Sequence, residues 1–574
     1  MSRTKLIIIG GVAGGATAAA RARRMDEGAE IILLERGEYI SFANCGLPYY
    51  VGEVIKKRQD LLVTTPEAFR KRYRIDIRIF CEVTAIDRKS KRVSIRNHRT
   101  QEKYWETYDK IILAPGAEPI KPPLEGINLE GIYNLRNIPD TDRIKNQVDK
   151  KRPQSAVIVG GGFIGLEMVE NLVRRGVRIT IVEMADQVMP PFDPEMASMV
   201  RAHLESKGVV CRLGQGVKGF RKEGGRLLVS VNNGEDIECD LVILSIGIRP
   251  ENRLAKEAGL EIGKTGGIKV DASMRTSDPD IYAVGDAVEV RDFITGFPLI
   301  SALAGPANKQ GRIAADNALG RKGVFRGTMR TSIVKVFELS VASTGLSEKT
   351  LRGYGLPYQV SYTCSGSHAA YYPDAETMTV KLIFSPGKGT VLGAQIVGKE
   401  GVDKRIDVMA AAIHGGMTVF DLEELELAYA PPYSSAKDPV NIAGFVAANL
   451  IKGDVENVYP LEVSDLDPNE RVFLDLRSRG EIRQSGSIEG ALNIPVDELR
   501  DHLKDLDKEK AYIIYCAVGQ RAYVGYRIMT QNGFRARNLS GGYETYKVFN
   551  QKIKNENPGA RSQNSEFLKE EKPR

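Results

Sequence analysis

Two segments of this chain repeat one pattern: a strand, a glycine loop, a helix, a second strand and an acid. In the cleaner copy, Ala156-Val157-Ile158-Val159 runs into Gly160-Gly161-Gly162-Phe163-Ile164-Gly165, and after a helical stretch Ile179-Thr180-Ile181-Val182 ends at Glu183. Few folds accept that order. Glycine at 160 allows a tight turn, and glycine at 162 lets backbone approach a pyrophosphate. Glycine at 165 lets the helix pack on the strand while its N-terminus faces the negative charge. The pattern predicts a parallel α/β sheet with a dinucleotide at the strand ends. Glu183 suits a free ribose 2′-hydroxyl and repels a 2′-phosphate, so NADH is expected in preference to NADPH.

The other copy begins near the N-terminus. Lys5-Leu6-Ile7-Ile8-Ile9 precedes Gly10-Gly11-Val12-Ala13-Gly14-Gly15, an alanine-rich helix reaches Arg24, and Ile31-Ile32-Leu33-Leu34 ends at Glu35 and Arg36. The acid follows the first glycine by 35 − 10 = 25 residues, close to the spacing of about 20 expected for a ribose-binding carboxylate. Val12 stands where the second glycine belongs. Two units starting 160 − 10 = 150 residues apart imply two nucleotides.

The remaining length leaves room for more. At about 150 residues per domain, 574 residues predict about four domains. With 42% hydrophobic and 27% charged residues the chain is not largely disordered. The net charge of 81 − 74 = +7 is dispersed, which argues against nucleic acid as a partner. No apolar run approaches the roughly 18 residues of a membrane span. Met1-Ser2-Arg3-Thr4-Lys5 enters the first strand directly, without a signal peptide, so a cytoplasmic protein is expected. Cysteines at 45, 81, 211, 239, 364 and 516 form no C-x-x-C pair, so no zinc site or other metal is expected. Most should be buried core thiols.

Two further strand-turn segments come in order: residues 108–117 around Ala114, and Ile281-Tyr282-Ala283-Val284-Gly285-Asp286-Ala287. With the glycine loops, they resemble the connecting and second FAD-binding motifs of the flavoprotein disulfide reductases. The resemblance runs from residue 1 to about 450. It implies two Rossmann-like domains: FAD on 1–120 with 245–325, and NAD(P)H on 121–244. An α+β dimerisation domain over 326–450 and a homodimer follow. Gly10, Val12, Ala13, Gly15, Glu35, Arg36, Asn44, Ala114, Gly247, Asp286 and Ala304 would serve FAD, with Asp286 on its ribityl chain. Gly160, Gly162, Gly165 and Glu183 would serve NADH.

Ser41-Phe42-Ala43-Asn44-Cys45-Gly46-Leu47-Pro48-Tyr49-Tyr50 follows the first unit, where a flavin ring is expected. Dithiol reductases place two cysteines five apart here. Cys45 has no such neighbour, so its disulfide must be made with an external thiol. The run resembles coenzyme A-disulfide reductases, whose single cysteine carries CoA as a mixed disulfide. Related NADH oxidases and peroxidases cycle one cysteine through sulfenic acid, and usually have Ser where Asn44 stands. None of the histidines at 98, 203, 368, 414 and 502 sits in a segment like the His-Glu pair of the dithiol enzymes. The resemblance instead implies that Tyr371 and Tyr429, reaching across from the partner subunit, steady the CoA sulfur. A phenol of pKa about 10 donates to a thiolate without ionising. Thr17, Arg21, Arg24, Ser41, Asn44, Lys71 or Arg72, and Lys437 are its candidates for holding CoA. For the two arginines, compensation of a helix C-terminus is an equal reading.

Residues 451–465 read as a linker and 466–555 as a new α/β domain. Val472-Phe473-Leu474-Asp475-Leu476-Arg477, a strand Ala511–Tyr515 running into Cys516, and Asn538-Leu539-Ser540-Gly541-Gly542-Tyr543 resemble a rhodanese domain. Ser487 replaces the usual His before Ile488. In Cys516-Ala517-Val518-Gly519-Gln520-Arg521, successive N–H groups, a helix N-terminus and Arg521 should depress the thiol pKa and hold a thiolate or persulfide. The charged segment 556–574 is expected to be disordered.

Together the resemblances imply a coenzyme A-disulfide reductase fused to a rhodanese. Reducing equivalents would pass from NADH through FAD to Cys45, while Cys516 delivers sulfane sulfur to CoA and Cys45 reduces the CoA persulfide to sulfide. A CoA-disulfide reductase proper with an accessory rhodanese, or a peroxidase or oxidase using a sulfenic Cys45, are the alternatives.

Overall fold

The computed structural model describes residues 3–463, 466 and 471–556. The expected disordered tail falls on 557–574, outside the described residues. The chain divides into two compact units, Met1–Pro190 with Leu204–Phe337, and Pro191–His203 with Glu338–Arg574.

The first unit opens with β1 (Lys5–Ile9), α1 (Ala13–Met25) and β2 (Glu30–Glu35). Its parallel sheet runs Ile281–Ala283, Lys110–Leu113, β1, β2, Asp76–Ile79. Ile9 sits in register with Leu34 on one side and Leu113 on the other. Leu6, Ile7 and Ile8 are fully buried, in a core shared with the alanines of α1 and with Val83, Ile86, Val93 and Ile95 of an antiparallel sheet, so the parallel sheet keeps no polar side. A short helix, α2 (Leu47–Val51), follows the Cys45 turn. The second dinucleotide unit supplies β3 (Ser155–Val159), α3 (Phe163–Arg174) and β4 (Arg178–Val182). Its parallel sheet runs Val210–Arg212, β4, β3, Leu241–Leu244, Ile132–Asn134. A later helix, α4 (Ala304–Ala318), crosses α1 so closely that a Cβ on Gly311 would lie 2.3 Å from the Gly14 carbonyl oxygen.

The second unit holds four neighbouring antiparallel strands, Leu339–Gly345, Val391–Gly398, Thr377–Phe384 and Gln359–Gly366. It also holds a parallel sheet in the order Asn457–Val458, Arg535–Leu539, β5 (Ala511–Tyr515), Arg471–Asp475, Leu492–Asn493. A helix, α5 (Gln520–Gln531), follows β5.

One segment differs from the sequence reading. Asn457–Val458, inside the stretch read as a linker, pairs with Asn538–Leu539 as an edge strand. Asn538 Nδ2 donates to Asn457 Oδ1 at 2.9 Å. Residues 191–203 fall with the second unit. Asp193 and Glu195 of this segment surround a buried cation. Lys381 is fully buried, and its Nζ lies 2.9 Å from Asp193 and 2.7 Å from Glu348 while also bonding Glu195. Burial opposes that charge, but Tyr362, Glu195, Asp193 and Glu348 outweigh it and hold the ammonium pKa well above its usual value. These carboxylates are the one such trio among the described residues close enough to chelate a metal ion, and the ammonium fills their centre. Lys381→Met leaves buried carboxylates without their counter-ion, and should cost about 3–5 kcal/mol in urea unfolding.

Candidate active site

The two glycine loops are built alike. Gly10 has φ +100°, and a Cβ there would sit 2.1 Å from the Ala114 carbonyl oxygen; one on Gly15 would sit 1.8 Å from Gly10 O. Gly160 has φ +102° with its Cβ position 2.4 Å from Ser245 O, and that of Gly165 is 2.2 Å from Gly160 O. Only glycine survives such contacts. The acids match as well. Glu35 accepts from Gly11 N and Gly37 N, both at 2.8 Å. Glu183 accepts from Gly161 N at 2.7 Å and Ala185 N at 2.8 Å. Val12 and Gly162 begin α1 and α3 with no side-chain cap, and nothing lies within 4 Å of a Cβ on Gly162. Open helix N-termini beside fixed acids fit the pyrophosphate and ribose of a dinucleotide at both loops. Ala13 opens α1 and Ala304 opens α4. Gly247, at φ +109°, accepts from Ile120 N at 2.9 Å. Arg36 pairs with Glu118 at 3.4 Å and Glu251 at 3.8 Å.

The Cys45 segment is tied to the first loop, for Ser41 N donates to Gly11 O at 2.8 Å. Asn44–Gly46 then make a single 3₁₀ turn before α2. Cys45 is exposed, the one described cysteine in that class; Cys81, Cys239 and Cys516 are buried, and Cys211 and Cys364 intermediate. Behind it, α2 packs tightly on α3. A Cβ on Gly52 would meet Asn171 Oδ1 at 2.0 Å, and Arg175 donates to Val51 O at 3.0 Å. Tyr49 and Glu167 lie in these two helices, and each is among the groups that perturb the other. Burial, and next Glu170, push the Glu167 carboxyl up to about 7, against the Tyr49 hydrogen bond. The Cys45 thiol is pushed up as well, first by burial and then by Glu167 and Asp286. Burial raises Asp286 to about 6, with Arg136 opposing. Neither Glu167 nor Tyr49 stood out in the sequence. The available signal was an acid set among Phe163, Ile164, Leu166 and Met168 on an otherwise apolar helix.

Thr17 Oγ1 contacts Asn308 Oδ1 at 2.5 Å, and Arg21 makes a two-point pair with Asp316 at 2.7 and 3.0 Å. Arg24, Lys71 and, in the second unit, Lys437 are exposed. Also in the second unit, the hydroxyls of Tyr371 and Tyr429 meet at 2.6 Å, with the residues 75% and 47% exposed, so this pair of phenols faces outward.

Cys516 lies at the end of β5, 1% exposed. Gly519, at φ +102°, donates its N–H to Cys516 Sγ at 3.1 Å just before α5. Tyr543 N donates to Cys516 O at 2.8 Å, and a Cβ on Gly542 would lie 2.6 Å from that oxygen. Arg521 is held by Glu481, with contacts of 2.8 and 2.6 Å. Glu481 is drawn down to about 2, chiefly by that hydrogen bond. It also closes a capping box with Ser478. The sequence reading named Arg521 but missed the acid that fixes it.

These geometries match known proteins. The pyridine nucleotide-disulphide oxidoreductase family matches residues 4–311, its dimerisation domain 331–439, and a rhodanese-like domain 461–548. The chain belongs to the pyridine nucleotide-disulphide oxidoreductases, in a form that carries a C-terminal rhodanese-like domain. It is 35% identical over 447 residues to the coenzyme A disulfide reductase of Staphylococcus haemolyticus, covering 78% of this chain and 100% of that protein. It is similar to the reduced CoADR-RHD of Bacillus anthracis at 49% identity and TM-score 0.93, over 96% of this chain and 98% of that one. A NAD-dependent persulfide reductase from A. fulgidus matches at 38% identity and TM-score 0.89, over 95% and 100%.

The loop contacts make a sharp test. Gly165→Val forces α3 off the turn, so the variant should lose most NADH binding by calorimetric titration while keeping its visible flavin spectrum.

Proposed function

We propose that this protein is an NADH-dependent reductase of sulfane sulfur that works through CoA, with FAD on the first loop and NADH on the second. A flavin bound at the first loop supplies the two-electron link between nicotinamide and thiol. The observation that carries the reading is the exposed Cys45 thiol, set beside the flavin loop with no cysteine to pair with, in a chain that also builds the anion-binding loop of Cys516.

The chemistry balances as follows. Cys516 holds a sulfane sulfur as Cys516–S–SH, and the CoA thiolate takes the outer sulfur, leaving Cys516–S⁻ and CoA–S–SH. Cys45–S⁻ attacks the inner sulfur of that persulfide, giving Cys45–S–S–CoA and HS⁻. Two electrons and one proton return Cys45–S⁻ and CoA–SH. The Gly519 N–H donates to the Cys516 sulfur, and Arg521 stands by that loop. Tyr371 and Tyr429, supplied by the other subunit of a homodimer, donate to the CoA sulfur. Thr17, Arg24, Ser41, Asn44, Lys71 and Lys437 bind CoA, with Arg21 acting through its pair with Asp316. Glu183 disfavours a 2′-phosphate, so NADH is the preferred donor.

A second reading is CoA-disulfide reduction alone. Its support is that the Staphylococcus haemolyticus enzyme matches over its full length while 78% of this chain is covered.

NADH-reduced enzyme, mixed anaerobically with CoA persulfide, polysulfide, CoA disulfide or peroxide, separates the readings by flavin absorbance. Rapid reoxidation by persulfide with sulfide release, abolished in Cys45→Ser, supports the proposal. Reoxidation by CoA disulfide alone supports the second reading, and reoxidation by peroxide alone overturns both. Cys516→Ser should leave CoA persulfide turnover intact and lose turnover that depends on a sulfane donor.

A further inference from the structure

The phenols of Tyr371 and Tyr429 sit on two separate loops, and a buried cation joins those loops from beneath. Tyr371 lies in residues 367–373, which follow the strand Gln359–Gly366; Tyr429 lies in residues 428–434, which lead towards the helix Pro439–Ile451. Arg405, on the helix Val402–Gly415, is 1% exposed. Its Nη2 faces three acceptors: Ser367 O at 2.9 Å on the first loop, Ser434 Oγ at 3.1 Å on the second, and Asp438 Oδ2 at 2.9 Å. Asp438 caps the helix Pro439–Ile451 and accepts from Ser434 Oγ at 2.6 Å. The loops also meet directly, for Ala369 N donates to Ser434 O at 3.0 Å. Within the first loop, both ring nitrogens of buried His368 are engaged, Nδ1 with Ser367 Oγ at 3.0 Å and Nε2 with Pro373 O at 2.9 Å. Above this layer the two tyrosines stand in solvent, so packing around their rings does not set the 2.6 Å between their hydroxyls. The backbone below them does. A guanidinium suits that task because its donors point in fixed directions, which those of a lysine ammonium do not.

We propose that Arg405 is a positioning residue for the phenol pair: by tying both loops to Asp438 it sets the spacing at which Tyr371 and Tyr429 act together on the CoA sulfur. The inference rests on the proposed reading in which this pair donates to that sulfur.

The test is a double-mutant cycle. NADH-reduced holoenzyme is mixed anaerobically with CoA persulfide or CoA disulfide. Flavin reoxidation is followed in the wild type, in Arg405→Lys, in Tyr371→Phe/Tyr429→Phe, and with all three substitutions together. Arg405→Lys keeps a cation beside Asp438, where Lys404 also lies at 3.6 Å, but loses the planar fork. It should slow reoxidation about tenfold, as a misplaced donor does. In the Tyr371→Phe/Tyr429→Phe background it should change the rate by less than about twofold. Equal losses in both backgrounds mark a merely structural role and overturn the inference, as does an unchanged rate in Arg405→Lys. Hydrogen exchange of the resting holoenzyme gives a readout without turnover. Peptides covering 367–373 and 428–434 should both exchange faster in Arg405→Lys, and retained protection in either overturns the clamp. If Arg405→Lys loses its flavin, Ser434→Ala takes its place, with a loss of about threefold expected from one missing hydrogen bond and the same criterion across the two backgrounds. A wild type reoxidised by CoA disulfide but not by CoA persulfide defeats the proposed function and leaves the cycle to be read on the disulfide. A Tyr371→Phe/Tyr429→Phe variant as fast as the wild type on both substrates defeats the donor role and the inference together.

Discussion

Backbone resting on backbone at the glycine loops is the contact from which the first unit is organised. Gly10 lies against the Ala114 carbonyl and Gly160 against that of Ser245. Any Cβ would push the loop off the neighbouring strand. Because the loops cannot move, α1 and α3 start where the strands end, with open N–H groups facing out. Because Gly11 O receives the Ser41 N–H, the segment leading to Cys45 starts from the same fixed point. Gly14 and Gly311 extend the rule to the crossing of α1 and α4.

Buried charge is treated differently in the supporting parts and in the cleft. Lys381 is surrounded by carboxylates. Arg405 is held by Asp438 at 2.9 Å, and Arg477 by Asp475 at 2.6 Å. Each is a buried cation with its counter-ion, the arrangement that avoids an uncompensated desolvation cost. Glu167 is the contrast, with another acid and a phenol around it and no counter-ion.

How far the fold could be read from the sequence follows from what each element depends on. The two strand–glycine–helix units were legible because the requirement for glycine is local and steric. The Cys516 loop was legible for the same reason. The contacts of Asp193 and Glu195 with Lys381, nearly two hundred residues away, were not legible, because no periodicity signals a long-range ion cluster. Asn457–Val458 were read as linker because a two-residue edge strand carries no pattern of its own. At the site, Cys45 announced itself through its neighbours in sequence. Glu167 acquires its character only when α2 docks on α3, and Glu481 only when its helix meets Arg521. Arg21, a candidate for CoA, is engaged by Asp316, a contact across 295 residues.

The two thiols end in opposite surroundings, and this divides their work. Cys516 is buried among donors: the Gly519 N–H points at its sulfur, and Arg521 is held nearby by an acid that carries its charge at neutral pH. Cys45 is exposed, and the groups around it are acids that resist its ionisation. A sulfur so placed gains from being tied up in a disulfide, because that state carries no charge against Glu167 and Asp286.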